Sequence, residues 1–230
     1  MTTDRDPPTR DQVLDELELL AGVEHALVVE HLTLCCVLGH DLAAEDGGPT
    51  TPEGAAAADA ARSLAIQEMF HLKQVSLTLA AAGRPVGLDR ATSISSPSVP
   101  EIPLDPPGGT DLGRWSERGA AIAAAVDERF HAQDGPTHAA GFAAVQEALG
   151  PRDPAEVVRV TRREPDDGFE ERLLAAGFNL YDLVVTALRE AYSSPDAPPG
   201  FRQLATSAMS GLDDTHRLLV QRGLLPLFTS

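Results

Sequence analysis

The sequence predicts an all-α protein, a four-helix bundle whose two halves are joined by a long irregular crossover. Three observations carry that expectation. Of the 230 residues, 43% are hydrophobic but only 4% aromatic, so apolar burial rests mostly on Leu, Ala and Val, the staple of closely packed helices. A β-sandwich or barrel would want more aromatic and β-branched side chains. Apolar runs with helix start and stop signals come in two pairs, and no Gly-rich phosphate loop or solenoid repeat competes with them.

Residues 1–8 are polar and expected to be disordered, and one domain is expected over 9–230. Thr9 and Gln12 have the spacing of a capping box, with Asp11, Asp15 and Glu16 favourably placed at a helix N-terminus. An apolar pattern then runs from residue 10 to about Leu42, where Gly47-Gly48-Pro49 stops it. Thr51-Pro52 is an N-cap followed by a first-turn proline, and the second helix continues to Ala82 before Gly83 and Pro85. Each helix is about 30 residues or 45 Å long, and the short connection makes them antiparallel neighbours.

Residues 92–167 form the insertion. Five prolines between 92 and 113 indicate a loop. A helical run follows over about Trp115–Ala132, then a broken stretch with one short helix near Gly141–Leu149. Two clear helices close the chain, about Gly168–Tyr192 and Pro199–Arg222, separated by Ser193-Ser194-Pro195. An apolar tail, Leu224-Leu225-Pro226-Leu227-Phe228, would suit the contact of a homodimer.

The formal net charge is −17, the wrong sign for a nucleic-acid binder or for docking on an anionic membrane. The adjacent Cys35 and Cys36 point about 100° apart on a helix, which disfavours a disulfide and suits reduced, buried thiols. No charged-then-apolar leader opens the chain, and no apolar stretch is expected to reach the roughly 20 residues of a membrane span. A soluble cytoplasmic protein is the expectation.

The residues suited to chemistry fall on these helices. Glu68-Met69-Phe70-His71 is a Glu-x-x-His, whose ends lie about 60° apart on a helix and can ligate one ion together. On the first helix Glu24 and His31 are about 700° apart and share a face, whereas Glu30 turns about 120° away, toward solvent or a partner helix. Ionisable residues on a buried stripe cost several kcal/mol unless they are paired or bind a metal. A plain alternative for Glu24 and His31 is hydrogen bonding to the next helix. Asp213 and His216 form an Asp-x-x-His, and Asn179 and Asp182 have the same spacing. A two-metal bundle site draws a carboxylate and a Glu-x-x-His from each half. This chain offers Glu24, Glu68 and His71, then Asn179 or Asp182, then Asp213 and His216. Glu128 and His131 make a second Glu-x-x-His, readable as a solvated helix end or as part of a lid over the bundle. His25, His40 and His138 lack a partner at ligand spacing and read as structural or surface residues.

Residues 17–34, LELLAGVEHALVVEHLTL, and 60–86, AARSLAIQEMFHLKQVSLTLAAAGRPV, resemble the ferritin-like domain family that includes the iminophenyl-pyruvate dimer synthases of bisindole biosynthesis. The features carrying the resemblance are Ala21 to His25, Glu68 to Leu72, Gly83 to Pro85 and the proline-rich stretch Pro97 to Pro107. It spans roughly the first 110 residues and is faint beyond them. It implies a ferritin-like bundle with non-heme iron, or manganese, ligated by Glu24, Glu68, His71, Asp213 and His216. Asn179 departs from the family pattern, because an amide oxygen is a weaker iron ligand than a carboxylate. Asp182 then substitutes, or the second metal is weakly held, or the site is mononuclear or lost, with His31 an added ligand. The implied activity is oxidation of a small organic substrate by dioxygen, with the insertion shaping the substrate pocket. The alternatives are an iron-storage protein, a metal-free bundle acting as a binding protein, and a metal-free isomerase or cyclase using Glu24, His31 or His71 as acid or base.

Overall fold

The computed structural model describes residues 8–40, 42, 48–49, 51–104, 112–130, 136–150, 158–226 and 228. Helix α1 spans Arg10–Val37 and α2 Pro52–Ala81. A two-stranded antiparallel ribbon follows, β1 (Ser93–Ile94) and β2 (Ile102–Pro103), with Ile94 opposite Ile102. Then come α3 (Leu112–Phe130), α4 (Pro136–Leu149), α5 (Gly168–Tyr192) and α6 (Pro199–Gln221). The all-α class therefore holds.

The helix starts follow the local chemistry. Thr9 Oγ1 accepts from the Gln12 amide and the Gln12 side chain accepts from the Thr9 amide, a complete capping box. Thr51 caps α2 through Gly54 N, and Asp167 caps α5 through Phe169 N and Glu170 N. One end differs from expectation. Helix α1 stops at Val37, well before Leu42, because Gly39 takes φ +73°. The His40 and Gly39 amides then donate to the Cys35 and Cys36 carbonyls, a Schellman closure that only a glycine adopts without strain. Helices α2 and α6 close the same way at Gly83 and Gly223.

The insertion is also more regular than its prolines suggest. Helix α4 starts at Pro136 rather than near Gly141, its proline standing in the first turn, where no amide bond is lost. The expected helical run over about 115–132 is present as α3, so the ribbon and the early start of α4 are what the insertion adds to the sequence reading.

Helices α1 and α2 run antiparallel, with Cys35 Sγ donating to Ala58 O near one end and Arg84 pairing with Asp15 at 2.8 Å near the other. Helices α5 and α6 are antiparallel too. Arg222 meets Asp167 at 2.9 Å, and a Cβ on Gly211 would lie 3.4 Å from Leu180. The α1–α2 hairpin has a core on each side. Leu27, Leu34 and Leu64 pack with Ile94, Ile122 and Val126 of the ribbon and α3. Val29, Leu72 and Leu79 pack with Tyr181, Val185 and Leu212 of α5 and α6.

Helix α1 is therefore enclosed, and every residue from 21 to 31 is buried. Contrary to the sequence expectation, an 18-residue window of α1 has mean hydropathy 1.5 and is apolar enough to cross a membrane by length and composition. Inside this chain 83% of that window is buried. All-round apolarity here matches a helix surrounded by its own protein. The C-terminal tail is likewise taken up internally rather than displayed: Leu224, Leu225 and Phe228 are buried, and Arg90 donates to the Phe228 carbonyl at 2.8 Å.

Gly22 shows how tightly α1 is held. Its carbonyl accepts from Ala91 N at 2.9 Å, and an added Cβ would meet Asp89 O at 3.0 Å and Ala91 N at 3.2 Å. Both neighbours are backbone and cannot rotate aside. Gly22→Ala should destabilise the protein by roughly 1–3 kcal/mol, the usual cost of overpacking. Urea denaturation should show a lower midpoint with an unchanged slope.

Candidate metal centre

The enclosure of α1 places four ionisable residues inside the protein: Glu24, His25, Glu30 and His31. Relative to Glu24 they point at about +100°, −120° and −20° around the helix, so each of three directions must offer a different answer to a buried polar group.

His25 turns toward α5 and the loop after α2. Its Nδ1 lies 2.7 Å from the Leu88 carbonyl, which can only accept, so Nδ1 carries the proton. Its Nε2, 2.7 Å from the Tyr181 hydroxyl, then accepts from the phenol. Burial keeps both groups neutral, lowering the histidine pKa and pushing Tyr181 up to about 12. Glu30 turns toward α3 and meets Arg118 at 2.5 Å, the partner-helix option of the sequence reading.

Glu24 turns toward α2 and meets Glu68 and His71. The nearest ligand atoms of the three all lie within 4.8 Å of one another. His71 Nδ1 is 3.1 Å from Glu68 Oε2 and 3.6 Å from Glu24 Oε2. The carboxylates are buried, at 3% and 1% exposure, while the His71 side chain is 30% exposed and forms the open side of the cluster. Hydrogen bonding to Glu24 first, then to Glu68, favours the imidazolium and pushes His71 up to about 10.

This donor set fits a metal ion. Two carboxylate oxygens and an imidazole nitrogen suit a divalent cation of hard-to-borderline character. Donors about 2.1 Å from a shared ion stand up to about 4.2 Å apart, so a small rotamer adjustment would close the cluster. Charge points the same way. Two carboxylates with a neutral His71 offer a donor set of charge −2, which a dication matches.

The other sequence candidates lie elsewhere. His31 is fully buried on the Glu24 side of α1 but outside the three-residue cluster. Asp182 and Asn179 are exposed on α5, and Asp213 is exposed on α6, 3.4 Å from Arg217. His216 is buried against Phe228, ring centroids 4.6 Å apart, and borders a cleft between α1, α2 and α6. The structure thus brings Glu24, Glu68 and His71 together and does not bring Asp182, Asp213 or His216 to them. Glu128 binds the ribbon loop: its Oε2 accepts from the Ser96 hydroxyl at 2.5 Å and from the Ser98 hydroxyl and amide. Those bonds hold its pKa low. His131 lies outside the described residues.

Sequence reasoning missed Tyr181 and Arg118, which answer His25 and Glu30. No local signal could have found them, because Tyr181 is 156 positions from His25 and Arg118 is 88 from Glu30.

No family model, curated protein or solved structure matches the chain.

His216 gives a pH prediction independent of the cluster. Burial lowers its pKa to about 4, whereas an unfolded histidine takes up its proton near 6.5. Its effect on stability is therefore absent above pH 6.5 and becomes progressively destabilising as pH falls toward 4, by at most about 3 kcal/mol. His216→Phe should flatten the pH 6.5–4 limb of a stability profile measured by thermal unfolding.

Proposed function

We propose that the chain is a ferritin-like bundle protein that binds one catalytic divalent metal at Glu24, Glu68 and His71, iron first and manganese second, and oxidises a small organic substrate with dioxygen. The single observation that carries this reading is the cluster of two buried carboxylates and one half-open histidine. The core that α1 and α2 share with α5 and α6 supports a four-helix frame. A single ion fits better than a pair, because the acids of the second hairpin, Asp182 and Asp213, face solvent.

Bound iron would supply the one-electron chemistry that protein side chains lack. The chain's own residues have simpler tasks. Glu24 and Glu68 hold negative charge where water is excluded, each on a different helix, so the site depends on the α1–α2 contact. His71 closes the set from the accessible side. Three protein donors leave coordination positions for solvent, substrate or dioxygen. Phe70, exposed with its ring centroid 6.5 Å from that of His71, adds apolar surface beside the opening.

A metal-free acid–base enzyme using His71 is the weaker reading. An imidazolium held near 10 is a poor proton donor at neutral pH, where efficient general acids have pKa values near the working range.

The test is metal content and stability together. Protein reconstituted anaerobically with ferrous iron should retain roughly one ion per chain, and Glu68→Ala should lose it. Ferrous iron at one hundred times its Kd should raise unfolding stability by about 2.7 kcal/mol, and only in the native chain. Equal retention of iron, manganese and zinc by native protein and Glu68→Ala would overturn the metal reading. Iron binding without any dioxygen consumption across candidate substrates would overturn the oxidase reading alone.

A further inference from the structure

The cleft between α1, α2 and α6 has a volume of about 260 Å³ and shares no side chain with the metal cluster. Its floor is buried and includes His216, Leu212 and Phe228, whereas Arg62, Met209 and Arg217 stand exposed at its rim.

His216 is the residue that asks for a ligand. It is only 7% exposed, and among the described residues no group hydrogen-bonds its imidazole. One side of the ring is closed by Phe228, at an interplanar angle of 84°. Another backs onto Gly177, where an added Cβ would sit 3.7 Å from Nε2. Buried polar groups are normally hydrogen-bonded. Here the open direction is the cleft, and a buried neutral imidazole can offer it a donor or an acceptor, according to its tautomer.

The rim carries more arginine than acid. In a chain of net charge −17, the cleft lining carries two arginines against one acid, Asp213. Asp213 meets Arg217 at 3.4 Å between exposed side chains four residues apart, a weak pair that an incoming anion can displace. His40, also on the lining, is engaged by Asp59 at 3.1 Å. Between floor and rim the wall is apolar, with Met69 and Met209 able to adapt to a chain of varying shape.

We propose that this cleft binds a small, mainly apolar organic carboxylate, its anionic end at Arg217 and its far end carrying a hydroxyl or carbonyl that hydrogen-bonds His216. The ligand's apolar body lies along Met69, Met209 and Phe228. This goes beyond the metal reading and does not depend on it.

Isothermal titration of the full chain in excess EDTA tests it, with octanoate, 8-hydroxyoctanoate and octylamine as probes. The hydroxy acid should bind about fivefold more tightly than octanoate, the worth of one net hydrogen bond, and octylamine should not bind. Arg217→Glu, at an exposed position, should weaken both acids about tenfold by reversing the rim charge. His216→Phe should erase the preference for the hydroxyl, and Met209→Trp, also exposed, should obstruct both acids. The proposal is overturned if neither acid binds saturably or if octylamine binds as well as octanoate. It is equally overturned if Arg217→Glu leaves both affinities unchanged, or if the hydroxyl preference survives His216→Phe. Because EDTA is present throughout, failure here leaves the metal reading standing, and failure of the metal reading leaves this one standing.

Discussion

Enclosure of α1 is the constraint on which the rest depends. Eleven consecutive residues, 21 to 31, lie inside the protein, and four of them are ionisable. A buried charge or unsatisfied imidazole costs several kcal/mol, so the surrounding elements have to arrive with matching groups. Tyr181 and the Leu88 carbonyl reach His25, Arg118 reaches Glu30, and Glu68 with His71 reaches Glu24. Each contact comes from a different segment, so the polar residues of one helix set the positions of α2, α3, α5 and the loop at 84–91. Gly22 marks where that loop approaches too closely for any side chain.

The three answers are not equivalent. His25 is satisfied by neutral hydrogen bonds that lock one tautomer. Glu30 is matched by one arginine of opposite charge. Around Glu24 two buried carboxylates and one histidine bring three ligand atoms within 4.8 Å of one another. That convergence separates a site from a structural contact, and it explains why the cluster, rather than the equally buried His25 or Glu30, carries the functional reading.

The second hairpin spends its polar groups differently. Tyr181 serves His25, and His216 faces a cleft. At the hairpin's open end, Glu170 accepts from both Arg163 and Arg222 at 3.0 Å and is held at a pKa of about 2, Arg163 being the largest cause. These uses bind α5 and α6 to each other and to α1 while leaving Asp182 and Asp213 at the surface. The two hairpins therefore contribute unlike features, a candidate metal cluster from the first and the apolar, arginine-rimmed cleft with the second.

The sequence by itself determined what short-range chemistry decides. The capping box at Thr9, the Thr51-Pro52 start, the full extent of α5, and Glu68 with His71 on one helical face all follow from spacing within a few residues. Where two local signals competed, the reading slipped: Gly39 ended α1 before the more conspicuous Gly47-Gly48-Pro49, and Pro136 began a helix rather than breaking one. Tertiary structure alone decided which ionisable residues meet. Periodicity shows that Glu24 and His31 share a face of α1, but not that Glu24 finds Glu68 and His71 while His31 stays outside the cluster. It likewise shows Asp213 and His216 one turn apart, yet packing sends the acid to solvent and the imidazole to a cleft floor. The reason is physical: helix periodicity orients a side chain relative to its own axis, whereas burial and charge matching depend on groups brought from distant positions in the chain.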